Sequence, residues 1–209
     1  MDCFARLQLT RHPWIDPAEL QTRFHALSTQ HHPDHFPAPS EKNAAEKLFT
    51  EINSAHHTLR SHTLRLAHLL ELETGLKASH VQEIPPEAMG FFNEVAKISR
   101  GVDKFLAEER PGGSPMLNVY HFERALEWTD IVQELHGRIA AQIATLEAEL
   151  KTMNPSWEKA PPPTGHSSAQ ARLAALPIDR LRVIASAMAF LEKWNSQLQE
   201  KIARLAQLT

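Results

Sequence analysis

The sequence predicts an all-α fold, with a compact N-terminal helical module followed by a C-terminal antiparallel three-helix bundle. Apolar residues recur at spacings of three and four almost throughout the chain, whereas strand-type alternation is scarce. The composition agrees, because seven glycines and a single tyrosine among 209 residues argue against a turn-rich β architecture. Three long amphipathic segments, none able to bury its apolar stripe alone, favour the bundle.

The first elements of the chain carry clear start and stop signals. After a short opening element, CFARLQL, Asp16 is expected to be the N-cap of a helix with Pro17 in its first position. Glu19, three residues after Asp16, completes a capping box. Pro33 stops this helix, because proline lacks an amide hydrogen and disfavours helical geometry in the residue before it.

Two further helical stretches complete the N-terminal module. Ser40 is expected to cap a helix that runs to about Arg60, and the next stretch, LRLAHLLELETGLK, meets a C-terminal stop at Gly75. We therefore assign residues 1–76 to the first domain. The proline-containing sequence EIPPE marks the junction, and residues 77–86 are predicted to form a linker.

The C-terminal domain is predicted to span residues 87–209. Its helices are expected at about 87–109, 121–153 and 178–207, and the second has the apolar spacing of a heptad seam. The sequence RPGGSP separates the first two. A proline-rich insertion near residues 154–168 separates the last two, and its prolines, Pro155 among them, are not expected in a helix interior.

Composition and motifs exclude several classes of function. A net charge of −3 gives no support to a nucleic-acid partner. No run of eighteen apolar residues and no secretory signal is visible, so we expect a cytoplasmic protein without a membrane span. A single cysteine, Cys3, rules out an intrachain disulfide and any multi-cysteine zinc site. There is no glycine-rich phosphate loop, nucleophile elbow or pair of catalytic carboxylates, so no enzyme is predicted.

Two groups of histidines have spacings that can hold zinc. They are His31, His32 and His35, and then His56, His57 and His62. No cysteine or carboxylate pattern completes either site. We therefore expect surface or core histidines, with neither a metal nor a cofactor.

The loop HPDHFPAPS joins two helices that are expected to run antiparallel. Pro33 fixes its own φ and biases His32 toward an extended conformation, and Asp34 follows with a short carboxylate aimed at solvent. Such a loop presents a charged acceptor with little conformational freedom, which lowers the entropic cost of docking. Taken alone, the three residues fit a helix stop followed by an aspartate-containing turn better than a docking loop, because so short a motif recurs by accident.

The residues around this loop resemble a J-domain, with about 70 residues in register. The resemblance lies in FARLQLTRHPWIDPAELQTRFHALSTQHHPDHF and in INSAHHTLRSHTLRLAHLLEL after the loop. It is nearest to the J-domain of the HscB co-chaperones, in which the third helix leads to an arginine and a leucine pair. Arg65, Leu69 and Leu70 match them here.

The J-domain resemblance implies docking on a DnaK/HscA-type chaperone and acceleration of its ATP hydrolysis. The family's essential contact is carried here by His32, Pro33 and Asp34, with Asp34 paired to an arginine of the chaperone. The family also places positive charge on the helix before the loop. This sequence departs from that pattern, because Arg23 is the clear cation, helped only by His25 and His31.

HscB proteins carry a C-terminal three-helix bundle that binds the iron–sulfur scaffold IscU. The segment FFNEVAKIS stands where the first bundle helix is expected, and FLEK resembles the family's end. The resemblance implies scaffold binding, and Phe91, Phe92, Val95 and Phe190 are the candidate residues; a place in the bundle core is the alternative for each. This helix also departs from the family, because it offers Glu94 alone until Asp103.

The sequence thus predicts a monomeric co-chaperone that delivers an IscU-like scaffold to a DnaK/HscA-type ATPase in iron–sulfur cluster assembly and protein maturation. Two alternatives remain. The chain could be a J-domain co-chaperone with a different client, or a helical interaction protein whose J-domain is vestigial.

Overall fold

The chain folds into α-helices, as the periodicity predicts. The structure is a computed structural model that describes residues 1–36, 38–76, 84–107, 115–162 and 166–208. No strand occurs among these residues. The helices are α1 (Cys3–Arg6), α2 (Pro17–Gln30), α3 (Pro39–Arg60), α4 (His62–Thr74), α5 (Pro86–Ala107), α6 (Pro115–Lys159), α7 (His166–Ala175) and α8 (Ile178–Ala206), with a 3₁₀ turn at Pro33–His35 between α2 and α3.

The internal contacts divide the chain into two compact units. The first unit comprises residues 1–80 and 147–185, and the second comprises residues 81–146 and 186–209. Residues 147–185 had been assigned to the C-terminal bundle on sequence grounds, so the contacts extend the first unit beyond the predicted N-terminal module. Most of the predicted linker, residues 77–83, lies outside the described residues.

In the first unit, α3 is the central helix. Helices α1, α2 and α4 and the 3₁₀ turn all pack on it. The interior is apolar; its fully buried side chains include Phe4, Leu7, Ile52, Ala55, Leu59, Leu66 and Leu69. These residues recur at helical spacing in α3 and α4, so the apolar pattern in the sequence determines which faces meet.

Local signals set several helix ends in this unit. The Asp16 carboxylate accepts a hydrogen bond from the Ala18 N–H at 2.9 Å, which confirms the predicted N-cap of α2. Gly75 ends α4 with a φ of 71°, the left-handed conformation that glycine adopts without strain. The prediction for Ser40 is wrong, because α3 begins at Pro39 with Ala38 at the N-cap and no side-chain bond.

Three polar side chains bind backbone groups or charges inside the first unit. Buried Arg65 donates to the carbonyl oxygens of Pro13 at 3.1 Å and Leu59 at 2.8 Å. The Asn154 amide accepts from the N–H of Trp14 at 3.2 Å and donates to its carbonyl oxygen at 2.9 Å. These bonds satisfy backbone groups where helices end or loops begin.

The third polar contact is a bidentate ion pair. The Arg172 guanidinium binds both carboxylate oxygens of Glu73, at 2.6 and 2.8 Å, and also donates to the Pro161 carbonyl at 2.9 Å. Both side chains are almost fully buried, with exposed fractions of 8% for Arg172 and 1% for Glu73. The pair links α7 to α4 within the first unit.

In the second unit, aromatic packing joins α5, α6 and α8. Phe105 of α5 stacks on His121 of α6, with ring centroids 4.7 Å apart. Gly101 lies directly against the indole of Trp128, and a Cβ atom added at Gly101 would overlap that ring. Residues later in α6 contact residues earlier in α5. The two helices are therefore antiparallel, as the sequence predicts.

Helix α6 is longer than predicted at both ends, and α7 was not predicted at all. Pro155 lies inside α6, so the expectation that this proline breaks the helix is wrong. Met153 and Trp157, on either side of it, are buried and hold the last turns in place. Pro155 itself is exposed, so the helix continues with this residue on its solvent side although proline lacks the N–H of a normal helical bond.

Candidate functional site

The candidate docking loop starts where α2 ends. The backbone N–H of His31 donates to the carbonyl oxygen of Leu27 at 3.0 Å and completes the last turn of the helix. His32 is extended, with φ −65° and ψ 128°, as expected for a residue that precedes a proline. Pro33, Asp34 and His35 then form the 3₁₀ turn. The sequence therefore turns sharply at the point where the helix stops.

His32 is the cap of this turn. Its Nδ1 accepts the backbone N–H of Asp34 at 3.3 Å, and its carbonyl oxygen accepts the N–H of His35 at 3.0 Å. The Asp34 carboxylate lies 3.6 Å from the same Nδ1. A nitrogen that accepts the amide bond carries no proton, so we interpret the contact with the carboxylate as proximity and not as an ion pair. The proton of the neutral ring then lies on Nε2.

Phe49 of α3 supports the His32 ring. The two rings meet edge to face, with centroids 5.3 Å apart, and the His35 ring lies 5.9 Å from His32 on another side. An aromatic pair of this kind restricts the imidazole to one orientation. Sequence reasoning missed Phe49; the available signal was an aromatic residue three positions before Ile52, next to the predicted core face of α3.

The Asp34 side chain is more exposed than that of His32. The exposed fractions are 77% for Asp34 and 44% for His32. The backbone of Asp34 is fixed by the turn, while its carboxylate oxygens are open to solvent. The loop can therefore present a carboxylate to a cationic partner with little loss of backbone freedom.

The cations near this loop are sparse, as the sequence indicates. Arg23 is exposed on α2, and His31 is half-buried at its C-terminal end. Phe24, beside Arg23, stacks on His56 of α3 with ring centroids 4.0 Å apart. Burial, followed by the charges of Arg60, His25 and His57, lowers the pKa of His56, so this imidazole resists becoming a further cation.

The four candidate scaffold-binding residues lie in the second unit, in different environments. Phe92 is exposed, and its ring lies 6.4 Å from Trp194 of α8. Phe190 is half-buried against the same Trp194, at 5.6 Å. Phe91 is half-buried, with the Arg138 guanidinium 5.7 Å from its ring centre. Val95 is in the core, with 4% of its surface exposed, so its side chain is not available to a partner in this structure.

The carboxylates of α5 are engaged within the second unit. Arg138 of α6 binds Glu94 through two hydrogen bonds, at 2.7 and 2.9 Å. Lys201 of α8 binds Asp103 at 2.5 Å. The acidic residues that the sequence offers on this helix therefore hold bundle helices together.

The described ranges contain neither a metal-binding cluster nor a membrane-spanning helix. Within them, no group of three or more histidine, cysteine, aspartate or glutamate side chains is arranged to hold a metal ion. No helix in the described part of the chain is both long and apolar enough to cross a membrane.

Comparison with known proteins identifies a matching family and related structures. Residues 2–68 match the family model of the DnaJ domain. The chain is similar to chaperone HscB from Vibrio cholerae, with a TM-score of 0.50 and 18% identity, over 95% of this chain and 99% of that one. It is also similar to human co-chaperone protein HscB, with a TM-score of 0.60 and 20% identity, over 96% of this chain and 82% of that one. No curated protein matches the sequence significantly.

Proposed function

The chain carries a DnaJ domain at residues 2–68 and has the fold of HscB, and from this premise we propose that it is a co-chaperone of a DnaK/HscA-type ATPase. In this proposal, His32, Pro33 and Asp34 dock on the chaperone and stimulate its ATP hydrolysis. The observation that carries the proposal is the exposed carboxylate of Asp34 on a turn fixed by His32. Hydrolysis itself belongs to the partner, so this chain contributes no catalytic residue.

Asp34 supplies the central contact. A carboxylate that pairs with an arginine and loses its water on docking forms a charge-assisted hydrogen bond. Removing its charge should cost about 2–5 kcal/mol of docking free energy, because the arginine would be left buried and unpaired. Arg23 and His31 lie before the loop and act mainly on the rate of encounter with an acidic chaperone surface.

The test is stimulation of ATP hydrolysis in a DnaK/HscA-type chaperone by the purified full chain. We expect Asp34→Asn to abolish stimulation, because the amide keeps the size of the side chain but not its charge. Glu41→Gln, an exposed carboxylate of α3, is the matched control and should stimulate normally. Equal stimulation by Asp34→Asn and the unchanged protein would contradict the proposal.

The proposed client is an IscU-like iron–sulfur scaffold, which the second unit would bind for cluster assembly and protein maturation in the cytoplasm, with the chain as a monomer. The exposed face of Phe92, with Phe91 and Phe190 beside it, supports this client. Phe92→Ala should weaken binding to the purified scaffold, whereas Asn93→Ala, an exposed neighbour on α5, should not. If both variants bind the scaffold equally well, this face is not the site.

A different client is the second candidate, and a specific observation favours it. Glu94 and Asp103, the acidic residues of α5 beyond its first turn, are already bound to Arg138 and Lys201. These two carboxylates are therefore less available to bind a scaffold. Binding of the scaffold and of a general unfolded protein, compared at equal concentration, separates the two candidates.

A further inference from the structure

The first part of α6 exposes an unusual number of large apolar side chains. The exposed members are Met116, Val119, Tyr120, Phe122, Leu126 and Ile131. Their exposed fractions range from 83% for Met116 to 41% for Phe122. At 100° per residue they occupy the half of the helix opposite Ala125, Val132 and Leu135, which are buried in the second unit. Large apolar side chains exposed in such number on one helix mark interaction sites on folded proteins.

A stripe of carboxylates runs through the middle of this face. It consists of Glu123, Glu127, Asp130 and Glu134, all exposed. Their spacings of four, three and four place them in one line along the helix. We call the apolar residues and this stripe together the α6 face; from Met116 to Glu134 it spans about 28 Å at 1.5 Å per residue.

The α6 face does not help the helix to form. Like charges four residues apart, as in Glu123 and Glu127, destabilise a helix by a few tenths of a kcal/mol per pair. Within the described ranges Glu123, Glu127 and Asp130 form no salt bridge, whereas the charge of Glu134 helps to raise the pKa of Arg138, four residues further along the helix. Arg124, on the flank of the face, lies 5.2 Å from the ring centre of Phe105 and 5.9 Å from that of Tyr120. Binding explains this combination of exposed apolar and repelling acidic residues better than folding does.

Charge selects the occupant of this face. We infer that the α6 face binds a basic amphipathic segment of another protein, with apolar side chains against Val119, Tyr120 and Leu126 and lysine or arginine side chains along the carboxylate stripe. A second copy of this chain would bring two acidic stripes together across a symmetric contact, which is repulsive. An anionic lipid surface would be repelled in the same way.

The inference goes beyond the proposed chaperone and scaffold contacts, because it rests on neither the loop of the first unit nor Phe91, Phe92 and Phe190. Its failure would leave the proposed function intact. The reverse also holds, since equal ATPase stimulation by Asp34→Asn and the unchanged protein, which would contradict the proposed function, says nothing about α6.

The test uses the full chain and fluorescently labelled synthetic peptides. The probe is an amphipathic leucine–lysine helix of about 18 residues, which matches the length of the face. A leucine–glutamate peptide of the same length keeps the apolar side and reverses the charge. Fluorescence anisotropy should show binding of the leucine–lysine peptide alone, weakening as salt is added, because exposed charges are screened.

Two sets of variants then locate the site. Leu126→Ser should weaken peptide binding by about tenfold or more, since it removes apolar area that the peptide would cover. The double change Glu123→Lys with Glu127→Lys should weaken binding by about as much, since it reverses the charge of the stripe. Leu64→Ser on α4 removes a leucine of similar exposure, 41% against 43%. Glu41→Lys with Glu46→Lys reverses two exposed charges on α3. Both controls should bind as the unchanged chain does, and circular dichroism checks that every variant is folded.

Four outcomes would overturn the inference. The first is equal binding by the α6 variants and the controls, and the second is equal binding of the leucine–glutamate peptide. The third is concentration-dependent dimerisation, measured by analytical ultracentrifugation, that Leu126→Ser abolishes, because the face would then belong to a second copy. The fourth is binding to vesicles of anionic phospholipid that Leu126→Ser abolishes.

Discussion

The two compact units are stabilised by different kinds of interaction. In the first unit, buried polar side chains bind backbone groups and each other, as in Arg65 with Pro13 and in Arg172 with Glu73. In the second unit, the buried contacts between helices are aromatic and apolar, and the ion pairs of Glu94 with Arg138 and of Asp103 with Lys201 are partly exposed. The same all-α architecture is therefore held together in two ways.

Helix length explains the difference. The first unit contains many short helices and loops, and each end leaves carbonyl and N–H groups without intrahelical partners. Buried groups of this kind must be paired, and the long arginine and asparagine side chains reach them. The second unit consists of long helices that satisfy their own backbone, so their contacts are free to be apolar.

Breaking the buried ion pair of the first unit should have the largest effect on stability. Glu73→Ala leaves the Arg172 guanidinium buried without its carboxylate. The expected loss is about 3–5 kcal/mol in the free energy of unfolding, the usual result when one partner of a buried pair is removed. Urea unfolding followed by circular dichroism measures this loss.

The matched control is the surface ion pair of the second unit. Glu94→Ala removes a similar bidentate carboxylate from Arg138, but both side chains are partly in water. Its effect should be far smaller, because solvent screens exposed pairs. Comparable losses for the two variants would refute the contrast between the units.

The close approach of α5 to α6 should give the next largest effect. Gly101→Ala places a Cβ atom inside the Trp128 indole, and overpacking of this kind costs about 1–3 kcal/mol. A flexible side chain could move away from the added Cβ atom, but the Trp128 indole is rigid and lies where α6 meets α5. Thermal unfolding should therefore begin at a lower temperature in this variant.

Two other glycines provide controls with the opposite sign. A Cβ atom at Gly90 or Gly137 meets nothing within 4 Å. Alanine is the better helix former by about 1 kcal/mol, so Gly90→Ala and Gly137→Ala should stabilise the protein. If Gly101→Ala stabilises it as well, the contact with Trp128 does not constrain the bundle.

The smallest effect concerns pH and the partly buried histidines of the first unit. Burial lowers the pKa of His68 from 6.5, although the Asp2 and Glu71 carboxylates oppose this shift. The Nε2 atom of His68 accepts the backbone N–H of Cys3 at 3.0 Å, a bond that requires an unprotonated nitrogen. Burial also lowers the pKa of His12.

The sign follows from proton binding. A histidine with a lowered pKa binds fewer protons when folded than when unfolded, so stability is full above pH 6.5 and falls as the pH drops below it. Amide hydrogen exchange should show this loss in α1 and α4. His68→Gln should reduce the pH dependence, whereas His57→Gln, at an exposed position of α3, controls for loss of an imidazole as such. An unchanged pH profile in His68→Gln would contradict the assignment.

Apolar periodicity was sufficient to predict the longer helices and their buried faces, but not α7. Leu135, Ile139, Leu146 and Leu150 of α6 are buried as the heptad spacing indicates. The position of the candidate docking loop was also predictable, because at Pro33 the local backbone chemistry ends the helix and the observed 3₁₀ turn agrees with it. The match of residues 2–68 to the DnaJ domain confirms the J-domain resemblance.

Long-range contacts could not be predicted in the same way. Pro155 remains helical because Met153 and Trp157 are buried beside it, and local preference alone does not reveal that burial. Arg172 gave no sign of burial, because its partner, Glu73, is 99 positions away in the chain. Phe49 likewise becomes a support for His32 only once α3 lies beside the turn.

The Cys3 thiol can serve as a probe for local opening of the J-domain. It is buried in the first unit, and burial raises the pKa of the sulfur. Alkylating reagents need the thiolate, so they must wait until α1 separates from α3 and His68. Since the chain contains no other cysteine, the rate of alkylation reports how often this region opens.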